Sequence, residues 1–483
     1  MKLSRRKMLK FTGGALGALV LGNPFRSFGK GAPEPKAGGD PTQQNSYFDS
    51  LPVFPLGEPL DPNEMRITFF GTSCIPRLAQ ECNSVFVETG SGDSFIFDCG
   101  SGVYAKYNAM GIIPSKMNKV FITHLHGDHT SDLIHLYCFG PSLDRHSPLF
   151  IWGPGNSDFT YTDPDNNKRG PYEDGTRAFC ENFRDAMRWH TESFSFLSTG
   201  YDNYSNIKPT QASWGLPCPI QPVSDDGDED GYSIIPIELN WRLFGQTPGD
   251  NIAYNNSATG VKITHFPAMH TRFGSVSYKL EWMGFSMIFS GDSLPNTHMI
   301  EQAAGVDVLI HEMVVPAETW AEKNSGLKPG DPDWQKAYDE ALQAQNCSHT
   351  PQGAFGYMLS QMKPAPRLSV ATHFQAEDDT IQSAMQSVRN HYPIGDIAFA
   401  MDFVVINVSR EKITQRRAVV SDFAFMPKCT YYSDPKPPKY WLYDYSQTPP
   451  AKVSDPLVQI DTSTQIHWKD PITGHINFRE DGY

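Results

Sequence analysis

Short runs of apolar and β-branched residues, each followed by polar side chains, recur along the middle of the chain. Four of them occupy residues 120–123, 261–264, 286–290 and 368–372. Runs of this length that are rich in valine, isoleucine, phenylalanine and threonine predict strands rather than helices. Histidine or aspartate follows each run directly or within a few positions. The pattern therefore predicts a sheet whose rim carries a group of metal-binding side chains.

The first of these strands ends in the densest group of candidate ligands. His124, His126, Asp128 and His129 fall within six positions. Because side chains alternate along extended backbone, His124 and His126 point the same way and can hold one ion together. Gly127 permits a turn, past which Asp128 and His129 can face a second ion. Imidazole and carboxylate suit zinc, with manganese or iron as substitutes; a loop that is merely rich in histidine is the alternative.

The later strands supply further candidate ligands. His265 and His270 follow the second run, Asp292 the third and His373 the fourth. Asp292 is the natural bridge, since one carboxylate between two dications lowers their repulsion. Taken alone, an aspartate after a strand is more often a helix cap, but the neighbouring ligands favour the bridging role.

Together these motifs resemble those of metallo-β-lactamase-fold hydrolases, and within them the branch that holds tRNase Z and the zinc-dependent arylsulfatases and phosphodiesterases. The resemblance spans roughly residues 65–410 and is specific to the superfamily, not to a substrate. It implies an α/β fold, the αββα metallo-β-lactamase sandwich with mixed sheets. The matching segments are FGTS (70–73), FDCGSG (97–102), THLHGDH (123–129), GPG (153–155), FSGDS (289–293), LIHE (309–312), SHT (348–350) and THF (372–374).

The resemblance implies two metal sites, most simply two Zn²⁺, joined by one carboxylate. The two sets of ligands share Asp292. The other ligands of the first ion are His124, His126 and His270. The other ligands of the second ion are Asp128, His129 and His373. His265 competes with His270, but FGSVSY (273–278) resembles the family's segment after that ligand and favours His270. Ser293 stands where lactamases often carry cysteine, which argues against β-lactam hydrolysis.

The implied chemistry is hydrolysis at two metal ions. A water that bridges two zinc ions has its pKa lowered to about 7, so a hydroxide nucleophile is present at neutral pH. In tRNase Z-like enzymes a matching histidine and glutamate form the acid end of the reaction. That likeness gives His349 and Glu312 catalytic roles beside Asp128. His349 also fits a polar residue that opens a helix, since Thr350-Pro351 has the signature of a helix start.

Two residues near the ligands are predicted to assist them. Asp98 closes another strand, and the family's matching aspartate supports the ligand loop without binding metal. We therefore expect Asp98 to orient a ligand through hydrogen bonds. Arg272, two residues past His270, is a candidate for binding an anionic substrate, and a surface arginine is the equal alternative.

The N-terminus carries a twin-arginine export signature. SRRKMLK (4–10) precedes a Gly/Ala-rich, weakly apolar run at residues 11–21, which is short for a membrane span. We expect residues 1–32 to be a signal peptide that engages the twin-arginine (Tat) translocon, and the protein to be periplasmic or secreted. A basic, unstructured start is the alternative.

The rest of the chain is predicted to form one large catalytic body with additions, for which its length is ample. Residues 33–64 are interpreted as a linker or arm and residues 65–410 as the catalytic domain. Within that domain, about residues 156–260 form an aromatic-rich insertion and a candidate lid. Strands are expected at 403–408 and 412–420. Residues 411–483 form a C-terminal extension that wraps the surface or meets a partner subunit of a homo-oligomer.

The net charge of the chain favours a small substrate over nucleic acid. The formal charge is −14, with no basic stretch beyond the export signature, whereas RNA binding rests on Lys/Arg contacts to phosphates. We therefore predict a small-molecule ester, a phosphodiester or sulfate ester, over nucleic acid. The alternatives are a tRNase Z-like 3′-tRNA processing endoribonuclease, a metal-dependent lactone or carboxylic ester hydrolase, and a biosynthetic metalloprotein.

Overall fold

Two β-sheets packed against each other form the body of the protein in the computed structural model. The structure describes residues 46–190 and 231–425, except positions 142, 146, 188, 232 and 247–248, and four two-residue strands nearer the C-terminus. The predicted signal peptide, residues 1–32, lies outside the described residues. Within the described part, no helix is long and apolar enough to cross a membrane.

The elements of residues 46–425 include both single crossovers and runs of consecutive strands or helices. The strands are β1 (Val53–Phe54), β2 (Met65–Gly71), β3 (Ser84–Thr89), β4 (Ser94–Phe97), β5 (Lys119–Phe121), β6 (Leu149–Pro154), β7 (Tyr161–Thr162), β8 (Lys168–Arg169), β9 (Ile234–Leu239), β10 (Ile252–Asn256), β11 (Val261–Pro267), β12 (Val276–Trp282), β13 (Phe285–Phe289), β14 (Val308–Glu312), β15 (Leu368–Thr372), β16 (Ile397–Phe399), β17 (Val404–Val408) and β18 (Ile413–Ala418). The α-helices are α1 (Ser46–Asp49), α2 (Val103–Ala109), α3 (Gly127–Thr130), α4 (Leu133–Phe139), α5 (Thr176–Ala186), α6 (Thr297–Ala303), α7 (Ala317–Ser325), α8 (Trp334–Ser348), α9 (Gln352–Gln361) and α10 (Asp378–Arg389).

The two large sheets divide these strands between them. The first has nine strands in the order β1-β18-β17-β2-β3-β4-β5-β6-β9, and the second has seven in the order β10 to β16. Strands β7 and β8 form a separate pair. The four strands nearer the C-terminus form two more pairs, 443–444 with 451–452 and 468–469 with 476–477. This is the predicted mixed α/β sandwich.

The strands are apolar on both faces because both faces are covered. Phe121 of β5 faces the core between the sheets, where its ring contacts Tyr278 of β12. Val120, its neighbour, faces a second core between the first sheet and helices α2 and α4. Side chains alternate across a strand, so a strand buried on both sides is an unbroken apolar run. This explains the runs from which the strands were predicted.

Parallel pairing brings the candidate ligands to one rim. Strand β4 runs parallel to β5, and β13, β14 and β15 run parallel to one another. The carboxyl ends of parallel strands lie at the same edge of a sheet. Asp98, the 124–129 motif, Asp292 and His373 all follow such ends.

The first sheet continues beyond the predicted limits of the catalytic domain. Strand β18 pairs with β17 past position 410, and β1, within the predicted arm, pairs in parallel with β18. The strands expected at 403–408 and 412–420 are thus confirmed as β17 and β18, and both are part of the sandwich.

A prediction on stability arises at Gly291, where the two sheets meet at the rim. Gly291 has a φ of +58°, and a Cβ there would lie 2.5 Å from the Cβ of Thr123. We expect Gly291→Ala to lower the free energy of unfolding by about 2–5 kcal/mol, through left-handed strain and overpacking. Gly111→Ala is the matched control, since its φ is +76° but no atom lies within 4 Å of the added carbon.

Urea denaturation of both variants measures the difference. Gly111→Ala should cost only the backbone strain of about 1–2 kcal/mol. Equal losses of stability for the two variants would show that Thr123 moves aside freely at the rim.

Candidate metal and active site

Seven of the predicted ligands converge at the rim between the sheets. Two groups share Asp292, and within each group the ligand atoms lie within 4.8 Å of one another. The first group adds His124, His126 and His270, and the second adds Asp128, His129 and His373. His265 lies elsewhere, buried within β11, which extends to Pro267. Of the two competing histidines, the structure brings His270 to the cluster.

Asp292 is the central side chain of the cluster. Its Oδ1 lies 3.2 Å from Nε2 of His129 and 3.4 Å from Nε2 of His373. Its Oδ2 lies 3.7 Å from Nε2 of His270 and 3.9 Å from Nε2 of His124. One carboxylate oxygen therefore faces each group, the geometry that a bridging ligand requires.

Backbone conformation sets the direction of these side chains. His126 is extended and caps helix α3, whose first turn carries Asp128 and His129. His373 has a φ of 58° and Asp98 a φ of 57°, both in the left-handed region. Non-glycine residues adopt this region rarely, and strained residues cluster at functional sites. The strand ends thus turn sharply where the ligands begin.

Hydrogen bonds orient two of the histidines from behind. Nδ1 of His129 lies 2.6 Å from Oδ2 of the fully buried Asp98, which also accepts from the backbone and side chain of Thr123. Nδ1 of His270 donates to the carbonyl of Ser348, at 2.8 Å. Each of these contacts orients the histidine ring so that its Nε2 faces Asp292. Asp98 lies where the sequence predicted it, behind the ligands.

We expect Asp98→Asn to weaken metal binding about 10- to 100-fold, the usual effect of removing a group that orients a ligand. Asparagine tolerates the left-handed backbone of this position, so the fold should persist. The measurement is a zinc titration against a competing chelator, with circular dichroism as the control for folding. Unchanged zinc affinity in the folded variant would mean that Asp98 serves packing alone.

The donor set fits divalent transition metals. Nε2 of His124, Nε2 of His129 and Oδ1 of Asp292 are buried and have no hydrogen-bond partner in the described part of the chain. Buried polar atoms without partners are costly and call for an explanation such as an ion. Burial lowers the pKa of His124 well below its usual range, and the resulting neutral imidazole is the form that binds metal. Burial opposes ionisation of Asp292, but the surrounding histidines hold its pKa well below the usual range.

His349 and Glu312 form a pair beside the second group. Nδ1 of His349 lies 2.8 Å from Oε2 of Glu312, and Oε1 of Glu312 accepts from the backbone N–H of Ser293 at 2.6 Å. Burial lowers the pKa of His349, but Glu312 outweighs it and raises the pKa to about 9. His349 is the C-cap of helix α8 and does not itself open the next helix, which begins at Gln352 with Pro351 as its N-cap. His311 points elsewhere, into a contact with Phe355.

A cleft of about 590 Å³ opens above these groups. His126, Asp128, His270, Asp292, His349 and His373 line its base. Its sides come from the loop after β2, around Ile75, and from helices α7 and α8. The sequence gives little signal for these helices, because their apolar positions are largely alanine and form a weak pattern.

Arg272 does not lie in the cleft. Its guanidinium pairs with Asp174 at 2.5 Å and donates to Oγ of Ser157 at 3.2 Å. The neighbouring Thr271 lines the cleft instead. The prediction of Arg272 as a substrate-binding residue is therefore corrected: acidic and hydroxyl partners from a distant loop engage its charge, and it ties that loop to the ligand segment.

The predicted insertion, residues 156–260, is only partly described. Its described residues include helix α5 and strands β7 to β10, and none of them lines the cleft. Residues 191–230 lie outside the described part, so the lid stays a prediction.

Comparison with known proteins agrees with this geometry. Residues 78–137, which include the 124–129 motif, match the metallo-β-lactamase superfamily. The chain thus carries a segment similar to the metallo-β-lactamase superfamily, and the predicted resemblance is confirmed at the level of the fold. Its relatives include ribonucleases Z.

Two of these relatives and one solved structure show the extent of the similarity. Ribonuclease Z of Methanothermobacter thermautotrophicus is 37% identical over 91 residues, 19% of this chain and 29% of that protein. Ribonuclease Z of Halalkalibacterium halodurans is 27% identical over 254 residues, 51% of this chain and 75% of that protein. The metallo-β-lactamase fold protein YhfI of Bacillus subtilis is 14% identical, with a TM-score of 0.44, over 71% of this chain and 100% of that one.

Proposed function

We propose that this protein is a dinuclear zinc-dependent hydrolase that cleaves a small phosphodiester or sulfate ester. The observation that carries the proposal is the pair of ligand groups joined by Asp292 at the base of the cleft. His124, His126 and His270 would hold one ion, and Asp128, His129 and His373 the other. Metallo-β-lactamase folds typically bind metal ions, and imidazole with carboxylate suits zinc.

The chemistry that two bound dications supply is a hydroxide nucleophile near neutral pH and polarisation of the ester oxygen under attack. The residues of the chain do the rest. Asp98 fixes the ring of His129, and Ser348 fixes the ring of His270. Glu312 engages Nδ1 of His349 and keeps the ring protonated. Nε2 of His349 then gives its proton to the leaving oxygen of the ester.

The charge of the protein and the cleft supports a small substrate over RNA. The net charge is −14, and no lysine or arginine is among the described residues that line the cleft. A polynucleotide substrate requires such side chains to neutralise its phosphates. A tRNase Z-like activity is the second candidate, because the relatives that the chain matches are ribonucleases Z.

Hydrolysis of chromogenic esters by the zinc-loaded, full-length protein tests the proposal. The panel contains bis(4-nitrophenyl) phosphate, 4-nitrophenyl sulfate, a 4-nitrophenyl carboxylic ester and a precursor tRNA, with Asp128→Ala as the control. Turnover of the phosphodiester or the sulfate that disappears in the control supports the proposal. Turnover of the precursor tRNA alone would replace it with the second candidate.

Export is part of the proposal. The residues that support it are Arg5 and Arg6 ahead of the Gly/Ala-rich run. Replacement of both arginines by lysine is expected to keep the protein in the cytoplasm of an expressing bacterium with a twin-arginine system. Cell fractionation and immunoblotting measure this, and equal periplasmic amounts of both forms would contradict it.

A further inference from the structure

Helices α7 and α8 form an apolar wall on one side of the cleft. The wall consists of Trp320, Ala341 and Ala344 of the helices, together with Val314 and Val315 of the segment between β14 and α7. Trp320 is half-buried, and its ring also packs on the small core of the helix pair, which contains Ala317, Ala321 and Ala341. The wall is therefore built on packed helices.

The opposite side of the cleft is apolar as well. Ile75 and Pro76 lie there, and Ile75 is 37% exposed. Polar groups that can bind a charged head are concentrated at the base, where His126 and His349 lie. The cleft thus has a polar floor and largely apolar sides, in which Gln343 and Gln345 of α8 are among the polar members.

This division of the cleft has a physical consequence for what binds there. A concave site with apolar walls and a few convergent polar groups is the usual form of a small-molecule site. Water against Trp320 and Val314 is released when an apolar group covers them, which favours binding. Ala341 and Ala344 line the same cleft as Trp320, and larger side chains at these positions would reduce its volume.

We propose that the wall of α7 and α8 binds an alkyl or aryl group of the substrate, so that the natural substrate is an ester with an anionic head and an apolar body. The proposal rests on the proposed function for the reaction at the head. The apolar contact itself does not require that reaction. Trp320 and Ala344 are the residues that select for the apolar group.

The contribution of the wall is measurable as dependence on chain length. A buried methylene contributes about fourfold to affinity. From a methyl to a butyl group, we therefore expect affinity and kcat/KM to rise on the order of tenfold or more. Trp320→Ala removes the surface, and Ala344→Phe fills the space in front of it. Both variants should reduce the preference for the longer chain over the methyl compound at least about tenfold.

The experiment uses the full-length, zinc-loaded protein and two readouts. Calorimetric titration with methyl-, butyl- and octylphosphonate, below the micelle concentration, reports binding without turnover. Hydrolysis of methyl, butyl and octyl 4-nitrophenyl phosphate reports the reaction with one leaving group. Trp334→Ala is the matched control, because Trp334 begins helix α8 and stacks on Tyr338 but does not line the cleft.

The outcomes separate this inference from the proposed function. Chain-length-dependent binding that both cleft variants abolish and Trp334→Ala preserves supports the inference, even if no ester is hydrolysed. Turnover of the phosphodiesters at equal rates, with phosphonate binding independent of chain length, overturns the inference and leaves the proposed function standing. Chain-length dependence that persists in both folded cleft variants also overturns it.

Discussion

Replacement of Asp292 by asparagine is expected to lower hydrolysis by about a thousandfold or more and to reduce the bound zinc from two ions to at most one. Asparagine keeps the shape of the side chain but removes the charge that lies between the two groups of histidines. Metal ions supply several kcal/mol of charge stabilisation, and each 1.36 kcal/mol is tenfold in rate. The rate of hydrolysis and the amount of bound zinc should therefore fall together.

Metal content by plasma emission spectroscopy and kcat/KM for the best ester of the panel measure this effect. Asp307→Asn is the matched control, because Asp307 lies at the opposite end of strand β14, where it accepts from the backbone of Ser286. That variant should retain both ions. Two bound ions and full activity in Asp292→Asn would contradict the bridging role.

Replacement of His349 by glutamine is expected to lower kcat by a factor of about 100 to 10,000 for esters whose leaving group is an alkoxide, the usual contribution of positioned proton transfer. The glutamine amide can still donate to Glu312, so the buried carboxylate keeps a partner. Nitrophenolate leaves without protonation, and its release should slow far less. The loss of rate should therefore grow with the basicity of the leaving group.

A series of esters with leaving groups of increasing pKa measures this dependence in the wild type and in His349→Gln. Zinc content must stay at the wild-type level, which separates proton donation from an effect on the ions. Equal losses for all leaving groups would indicate that His349 positions the site rather than donating a proton.

The sequence predicted which side chains converge at the rim, because the information for this is local. The 124–129 motif has its spacing within one strand end and one turn, and Asp292 and His373 each directly follow an apolar run. Parallel pairing then brings the strand ends of each sheet to one edge. The packing of the two sheets against each other brings the two sets of ligands together.

The features that sequence reasoning missed depend on contacts between distant residues. Arg272 pairs with Asp174, about a hundred positions away in the chain, and no local pattern marks that pairing. His265 was a rival ligand because β11 was predicted to stop at 264, whereas it continues to Pro267 and encloses that ring. The helices that form one side of the cleft pack against each other through alanines. Alanine occurs in many kinds of structure, so it gives no local signal of this packing.

Each group of ligands draws on both halves of the sandwich. His124 to His129 follow a strand of the first sheet, whereas His270, Asp292 and His373 follow strands of the second. Neither sheet alone carries a complete set of ligands. An ion can therefore be bound by its full set only after the two sheets have packed together. Bound zinc would therefore stabilise the contact between the two sheets late in folding, after they have packed together. The stabilisation would be about 2.7 kcal/mol when free zinc is at a hundredfold excess over the dissociation constant. Chelation of the ions would weaken the contact between the two sheets at the rim first and leave the interior of each sheet intact.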